Sequence, residues 1–384
     1  MNLSADALEA IPALVVGFFA ALAVSLLATP LVRAAAHSAG MEDQPEARRV
    51  NVRAVPRGGG VAVGIGFVGV SLLVLGWNAW AGLRLGDEAI VTNLQLAALL
   101  GGAVLAVALG LVDDFLQLRA RWQLLGQVLL ALIALALGIA VHTVNLPFAA
   151  NGTWNVPELL VGVVTVVWIV GMINSVNFID GLDGLSTGIG VIAALTLGII
   201  SVGPSTNEPL VALFCFILAG ALAGFLRWNF NPASIFPGTS GIMLVGYSLA
   251  VLSILGAAKV AVALLVLGVP IMDTFWIIVR RLVSRRSPFA PDRGHIHHRL
   301  LDLGLSQRAT VLLIYGVCIV LSALSLGLSG TGAMYAFLGL VVLSGLALLL
   351  IERLAGGGRE IEAGLSASSY SSEAADPPDS SRSL

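Results

Sequence analysis

The sequence is poor in charged residues and contains a single lysine. Aspartate, glutamate, lysine and arginine make up 11% of its 384 residues, whereas apolar residues make up 58%. Because soluble domains carry about 25% charged residues, this composition excludes an ordinary soluble domain and predicts an integral membrane protein. The formal net charge of −2 also argues against nucleic acid as a partner, because a polyanion needs a basic surface.

Cysteine is equally scarce. Cys215 and Cys318 both lie in apolar segments without metal-ligand spacing, which excludes a disulfide framework and indicates inert, buried side chains. Basic residues are missing before the first apolar segment, where Asp6 and Glu9 stand instead. A cleaved signal peptide needs a basic start, so the first apolar segment is predicted to remain as a helix.

Long apolar segments are abundant. Crossing the hydrocarbon core takes roughly 20 apolar residues in a helix. The eleven candidates lie near residues 11–33, 59–77, 92–111, 122–142, 158–173, 188–203, 209–226, 241–256, 258–280, 309–328 and 333–352. The sequence therefore predicts an all-α integral membrane protein with about eleven transmembrane helices in a membrane domain over residues 1–352. The Gly-, Ser- and Pro-rich residues 353–384 are predicted to be a disordered cytoplasmic tail.

The arginines set the predicted orientation. With the N-terminus outside and eleven crossings, every lysine and arginine except Arg84 and Lys259 falls on the cytoplasmic side, as the positive-inside rule requires. A shift by one helix would scramble this asymmetry. We therefore expect an outside N-terminus and a cytoplasmic C-terminus.

Unusual polar residues concentrate on the same side. They lie in five predicted cytoplasmic loops, whereas a transporter would place its ionisable residues near the middle of the membrane. This distribution favours an enzyme over a transporter. Its active site is predicted to face the cytoplasm from the cell membrane.

Two adjacent carboxylates, Asp113 and Asp114, end the third apolar segment in "LVDDF". Neighbouring carboxylates repel each other and lose hydration, so a compensating cation would favour their ionised forms. The alternative is a solvated helix end in which the pair contacts Arg119 or Arg121. The sequence leaves both interpretations open.

The stretch "NSVNFIDGLDGL" carries two asparagines and two aspartates at three-residue spacing: Asn174, Asn177, Asp180 and Asp183. In one continuous helix, Asn174 and Asp183 would point to opposite faces. The glycines after Asp180 predict a break there, which lets the chain curl around a ligand. Amide and carboxylate oxygens suit Mg²⁺ bound alongside substrate phosphates. A polar loop that caps the next helix would not explain all four polar residues.

Three histidines, His295, His297 and His298, lie in "GHIHH". A zinc site would need a fourth ligand and wider spacing, and none is evident. Nearby Arg293 is instead a donor suited to phosphate or sugar oxygens. The segment is therefore predicted to bind substrate.

Three glycine-rich stretches are interpreted by their context. "GIGFVG" (64–69) matches the dinucleotide-binding pattern but lies inside an apolar segment, so close helix packing is the better interpretation, as it is for "GALAG" (220–224). "PRGGG" (56–60) lies at the cytoplasmic end of a segment. Its amides suit a phosphate, and a flexible helix start is the alternative.

Together, "LVDDF", "NSVNFIDGLDGLSTG" and "DRGHIHHRL" resemble the polyprenyl-phosphate N-acetylhexosamine-1-phosphate transferases, over roughly residues 11–352. The "HIHH" form is similar to the GlcNAc-1-phosphate branch. The resemblance implies a Mg²⁺-dependent phosphoglycosyl transferase, with Mn²⁺ as an alternative ion. It further implies transfer of a sugar 1-phosphate from a UDP-N-acetylhexosamine to undecaprenyl phosphate, which releases UMP and starts a lipid-linked glycan. A homodimer is a further expectation.

The resemblance also implies residue roles. Asp113, Asp114, Asp180 and Asp183 would be catalytic and metal-binding. Substrate binding would fall to Asp43, Asn174, Asn177, Phe236, Arg293, His295, His297 and His298. Thr239 in "FPGTSG" departs from the family, which commonly has a metal-binding aspartate at that position. One alternative is therefore a family member that uses another UDP-sugar donor, including UDP-MurNAc-pentapeptide. A weakly active family member is the other.

Overall fold

The computed structural model describes residues 5–43, 54–81, 91–146, 148–149, 152–203, 206–256, 259–283, 296–328 and 331–346. Residues up to Phe337 form one compact unit, and a second unit begins at Leu338. The predicted tail, residues 353–384, lies outside the described residues.

The described chain is almost entirely helical. Its helices are α1 (Ala5–Ser38), α2 (Gly60–Gly64), α3 (Val70–Ala81), α4 (Asn93–Leu116), α5 (Ala120–Ala136), α6 (Glu158–Ile179), α7 (Leu185–Ser201), α8 (Pro209–Asn229), α9 (Gly238–Leu255), α10 (Lys259–Val266), α11 (Gly268–Val283), α12 (Ile296–Asp302), α13 (Gln307–Gly327) and α14 (Thr331–Leu346). A π-helical turn, Ile65–Gly69, joins α2 to α3. Each predicted apolar segment overlaps helical residues.

Among the described residues, seven helical stretches are long and apolar enough to cross a membrane. They are α1, the α2–α3 stretch, α4, α6, α8, α9 and α13. Helices α5, α7, α11 and α14 supply shorter apolar stretches. This agrees with the predicted all-α membrane class.

Helices α8 and α9 form the centre of the bundle. Of the most apolar stretch of each helix, 78% is buried inside the protein in α8 and 83% in α9. The buried share is 39% or less in the other five long stretches. Helix α1 packs against α8 through glycines, because a Cβ on Gly220 would lie 2.1 Å from the Phe18 carbonyl oxygen. A Cβ on Gly224 would lie 2.3 Å from the Leu22 oxygen. The close packing predicted for "GALAG" is confirmed.

Two short antiparallel pairs interrupt the helical pattern, and the sequence did not predict them. Strand β1 (Glu42–Asp43) pairs with β2 (Val55–Pro56), and β3 (Thr143–Val144) pairs with β4 (Trp154–Asn155). The first pair lies near the end of the bundle where α4, α6 and α8 finish and α7 and α9 begin. We call this the cavity end.

Candidate active site

A cavity of about 340 Å³ opens at the cavity end. Its charged and titratable lining consists of Asp43, Asp180, Asp183, Arg57 and His298. Its uncharged lining includes Asn177, Leu182, Asn229, Phe236, Thr239 and Ile242. Six of the predicted site residues are therefore brought together: Asp43, Asn177, Asp180, Asp183, Phe236 and His298.

The turn between α6 and α7 presents two of the carboxylates. Helix α6 ends at Ile179 and α7 begins after Gly184, which has φ +79°, so the predicted break is confirmed. The Ser186 hydroxyl donates to Oδ1 of Asp180. Oδ2 of Asp183 accepts from the side-chain nitrogen of Asn231 at 2.9 Å. Both carboxylates are thus held in place while they border the cavity.

Asp180 is enclosed by protein on the sides away from the cavity. Burial raises its pKa to about 6, although the hydrogen bond from Ser186 partly opposes this shift. The charge of Asp114 raises the pKa further. The charge of Arg57 opposes this shift, and a cation bound beside Asp180 would favour the ionised form in the same way.

Asp113 is engaged on both oxygens. Its Oδ1 accepts from the Leu118 amide and from the Gln123 side chain, each at 2.9 Å. Its Oδ2 accepts from the Thr239 hydroxyl at 2.6 Å. Asp113 does not line the cavity. Its position is behind Thr239, which does.

Asp114 holds the start of α9. Its Oδ1 accepts from the Thr239 amide at 2.7 Å. Its Oδ2 accepts from the Ser240 amide at 3.1 Å and from the Ser240 hydroxyl at 2.7 Å. These amides belong to the first turn of α9, so a side chain from α4 supplies the N-terminal cap of another helix. Asp114 also lies outside the cavity lining.

The histidine segment reaches the cavity through α12. His298 lines it, and the His297 and His298 ring centroids lie 4.4 Å apart. His297 is buried beside Gly181, where a Cβ would lie 2.2 Å from Nε2 of the ring. Arg293 and His295 lie outside the described residues.

Asn174 is not brought to the cavity. Its side-chain nitrogen donates to Oε1 of Gln127 at 2.6 Å and to the Val170 carbonyl at 2.8 Å. The residue therefore links α6 to α5, one helical turn before the site begins.

Sequence reasoning missed Arg57 and Asn229. Asn229 ends α8, where its Oδ1 accepts from the Thr187 hydroxyl at 2.7 Å. Arg57 belongs to the "PRGGG" stretch, and its place in that stretch was the one signal for it in the sequence. The Gly59 and Gly60 amides donate to the carbonyls of Phe236 and Pro237, each at 2.9 Å. Neither amide is therefore available to cradle a phosphate.

Comparison with known proteins relates this arrangement to a family. Residues 96–257 match the model of glycosyl transferase family 4. A protein of Bacillus subtilis, named as a probable undecaprenyl-phosphate N-acetylglucosaminyl 1-phosphate transferase, is 33% identical over 319 residues, which cover 80% of this chain and 83% of the relative. The chain belongs to glycosyl transferase family 4. The resemblance predicted from the motifs is thereby confirmed.

Two further relatives of this family 4 protein carry similar names. The decaprenyl-phosphate N-acetylglucosaminephosphotransferase of Mycolicibacterium smegmatis is 34% identical over 323 residues, or 78% of each chain. The undecaprenyl-phosphate α-N-acetylglucosaminyl 1-phosphate transferase of Yersinia pestis is 27% identical over 303 residues, covering 74% of this chain and 76% of the relative. All three names describe transfer to a polyprenyl phosphate.

The cavity of this family 4 protein suits Mg²⁺ by its donor atoms. Within the described part of the chain, no three acidic, histidine or cysteine side chains converge as a metal cage. Mg²⁺, however, usually binds through one or two carboxylates together with substrate phosphates and water. Asp180 and Asp183, with the amide oxygen of Asn177, provide such a partial set at the cavity wall.

Thr239→Asp provides a test of the departure from the family pattern. The new carboxylate would lie against Asp113 and Asp114, and repulsion between unit charges about 4 Å apart is on the order of 4 kcal/mol at an effective dielectric of 20. We expect a lower unfolding temperature without divalent ions and a larger recovery with MgCl₂ than the wild type shows. Activity at high Mg²⁺ should be kept or raised. An unfolding temperature that responds to MgCl₂ as the wild type does would contradict this expectation.

Helix α13 fixes the α6–α7 turn from outside the cavity. The Tyr315 hydroxyl donates to the Gly184 carbonyl at 2.5 Å. The Asn231 side chain, which donates to Asp183, also donates to Oε1 of Gln307 at 2.7 Å. Residues from the far end of the sequence therefore position the carboxylate turn.

Proposed function

We propose that this family 4 protein transfers N-acetylglucosamine-1-phosphate from UDP-N-acetylglucosamine to a polyprenyl phosphate. The products are polyprenyl-diphospho-N-acetylglucosamine and UMP. The names of the relatives support the sugar and the lipid acceptor. The observation that carries the proposal is the meeting of Asp180, Asp183 and Arg57 in one cavity at the helix ends.

The proposed reaction requires two anionic groups to meet. An oxygen of the lipid phosphate attacks the β-phosphorus of the nucleotide sugar, and the bond between that phosphorus and the oxygen bridging to the α-phosphate breaks. Electrons pass to that oxygen, which leaves on UMP. A phosphate monoester has its second pKa near 6, so the nucleophile is largely ionised at neutral pH. The protein therefore needs to position and neutralise charge more than to remove a proton.

Asp180, Asp183 and Asn177 would hold the metal ion in this proposal. When bound, Mg²⁺ supplies positive charge that offsets the phosphoryl oxygens. Phe236, which lines the cavity, would stack on the uracil base in this proposal. Asp113 and Asp114 do not line the cavity. In this proposal they act by fixing Thr239 and the start of α9.

One assay tests the proposed function. Purified protein in detergent is incubated with undecaprenyl phosphate, MgCl₂ and one UDP-sugar at a time, and UMP release and lipid-linked product are measured. We expect turnover with UDP-N-acetylglucosamine and its loss in Asp183→Asn. Asp302→Asn is a matched control, because Asp302 is exposed at the end of α12 and does not line the cavity. Absence of turnover with every donor would overturn the proposal.

A second candidate is a family member with another UDP-sugar donor or with weak activity. Thr239 motivates it, since a hydroxyl that donates to Asp113 replaces a carboxylate. The donor series in the same assay separates the two candidates. A higher kcat/KM with UDP-N-acetylgalactosamine or UDP-MurNAc-pentapeptide would favour the second.

The proposed location is the cell membrane, with eleven crossings, an outside N-terminus and the cavity facing the cytoplasm. A homodimer stays a prediction. Single cysteines test the orientation, because native Cys215 and Cys318 are buried. Arg119→Cys at the cavity end and Asn155→Cys near the opposite end place thiols at exposed positions. On intact cells, a membrane-impermeant maleimide should label only the second variant. The reverse labelling would overturn the orientation.

A further inference from the structure

Arg57 is the cationic side chain of the cavity wall. Within the part of the chain that the structure describes, it is the only lysine or arginine among the cavity-lining residues. Three carboxylates share the wall with it: Asp43, Asp180 and Asp183. An anionic substrate entering such a wall meets net repulsion unless positive groups are aimed at it.

The backbone around Arg57 is fixed on both sides. Its amide donates to the Met41 carbonyl at 2.9 Å, which ties it to the residue before β1. The Phe236 amide donates to the Pro56 carbonyl at 2.9 Å, which ties the same segment to the entry of α9. Hydrogen bonds with Met41 and Phe236 thus set the position of the backbone around Arg57 before a ligand binds. This reduces the ordering cost of binding.

The side chain is held but not enclosed. One guanidinium nitrogen, Nη2, contacts Oδ1 of Asp43. The Arg57 side chain keeps 21% of its surface exposed, whereas Asp43 keeps 10%. A guanidinium carries five N–H donors in a planar fork, so donors beyond this contact remain for an anion. Arg57 presents the accessible side of the pair.

We propose that Arg57, oriented by Asp43, binds a phosphoryl oxygen of a substrate in this cavity. The planar fork matches two oxygens of one phosphate, which a lysine cannot do. The inference rests on the proposed function, because both substrates of that reaction carry phosphate. The phosphate belongs either to the nucleotide diphosphate or to the lipid monoester. The backbone amides of Gly59 and Gly60 donate to carbonyls, so the side chain takes the role that a glycine-rich loop fills elsewhere.

Two variants test Arg57 without leaving a buried charge unpaired. Arg57→Lys keeps the charge and the partner of Asp43 but loses the fork. The double variant Asp43→Asn with Arg57→Gln removes both charges and leaves the net charge unchanged. Arg227→Gln is the matched control, because Arg227 is exposed above the Trp228 ring near the same end of the bundle. Unfolding temperatures confirm that each variant is folded.

Calorimetric binding of UDP, uridine and inorganic pyrophosphate at fixed MgCl₂ is the first measurement. The KM for polyprenyl phosphate is the second. We expect the double variant to weaken UDP and pyrophosphate binding by roughly 10- to 100-fold, from the usual strength of hydrogen bonds between charged groups. Arg57→Lys should lie between it and the wild type. Uridine binding and the Arg227→Gln control should stay unchanged.

Each outcome has a defined meaning. Weaker UDP binding in both the double variant and Arg57→Lys assigns Arg57 to the nucleotide diphosphate, whereas a higher KM for polyprenyl phosphate in both, with unchanged UDP binding, assigns it to the lipid phosphate. UDP and pyrophosphate binding and lipid KM that all stay within twofold of wild type would overturn the inference. A wild type that binds pyrophosphate through Arg57 but turns over no donor would overturn the proposed function and leave the inference standing.

Discussion

Asp180→Asn is expected to lower UMP release by on the order of 10²- to 10³-fold, the size of effect seen when one preorganised electrostatic group is removed from an active site. The amide keeps an oxygen that can accept from Ser186, so the turn should stay folded. It loses the charge that a metal ion bound there requires. The assay is initial rate of UMP release against MgCl₂ concentration, with Asp302→Asn as the control for removing one carboxylate.

The pH profile gives this variant a sharper test. Burial raises the pKa of Asp180 to about 6, so protonation below that pH removes the negative charge. Wild-type activity should fall as the pH drops through this region, where the lipid phosphate also gains a proton. The residual activity of Asp180→Asn should recover less with added MgCl₂ at low pH, because the ion no longer competes with a proton at this side chain. If Asp180→Asn keeps more than a tenth of the wild-type rate, the proposed role of Asp180 in the reaction is contradicted.

Asp114→Ala should lower the stability of the protein. Three hydrogen bonds from Thr239 and Ser240 to Asp114 are lost, and two of their donors are amides at the buried start of α9. An unpaired buried donor costs about 1–3 kcal/mol and a lost helix cap about 1 kcal/mol. We expect a loss of about 3 kcal/mol, measured as a lower unfolding temperature in detergent.

Activity should fall with Asp114→Ala as well, because Gly238 and Thr239 line the cavity. That loss alone would not make Asp114 a metal ligand. The MgCl₂ concentration that gives the half-maximal rate separates the two roles. It should stay unchanged when a capping residue is removed and rise when a metal ligand is removed. Ser240→Ala removes the hydroxyl donor to Oδ2 of Asp114 and keeps the amide donor. It should therefore show a smaller loss of stability. An unchanged unfolding temperature in Asp114→Ala would refute the capping role.

Much of the fold follows from local sequence. Apolar segments of membrane length specify helices because each must satisfy its own backbone hydrogen bonds. The glycines after Asp180 end α6 where the motif predicted. The small residues of "GALAG" predicted a close helix contact, and Gly220 makes one with α1. These features depend on neighbours in the chain.

The rest of the site depends on partners far apart in sequence. Asp114 and Thr239 are separated by 125 positions, so no local pattern reveals that one caps the helix of the other. The pairing of Asp43 with Arg57 needs the β1–β2 strand pair, and two-residue strands leave no periodic signal. Asn174 shares the three-residue spacing of the motif, yet it belongs to the α5–α6 contact. Spacing alone could not distinguish these roles.

The hydrogen bond between Tyr315 and the α6–α7 turn bears on the design of chimeras between this protein and its relatives. A Cβ on Gly188 would lie 1.9 Å from the Tyr315 hydroxyl, so a side chain at position 188 requires the Tyr315 ring to move. The family-matched segment, residues 96–257, contains Gly188 but not Tyr315. A chimera that imports this segment alone from a relative with a side chain at that position would place the side chain against Tyr315. Importing α13 with the segment would avoid this conflict.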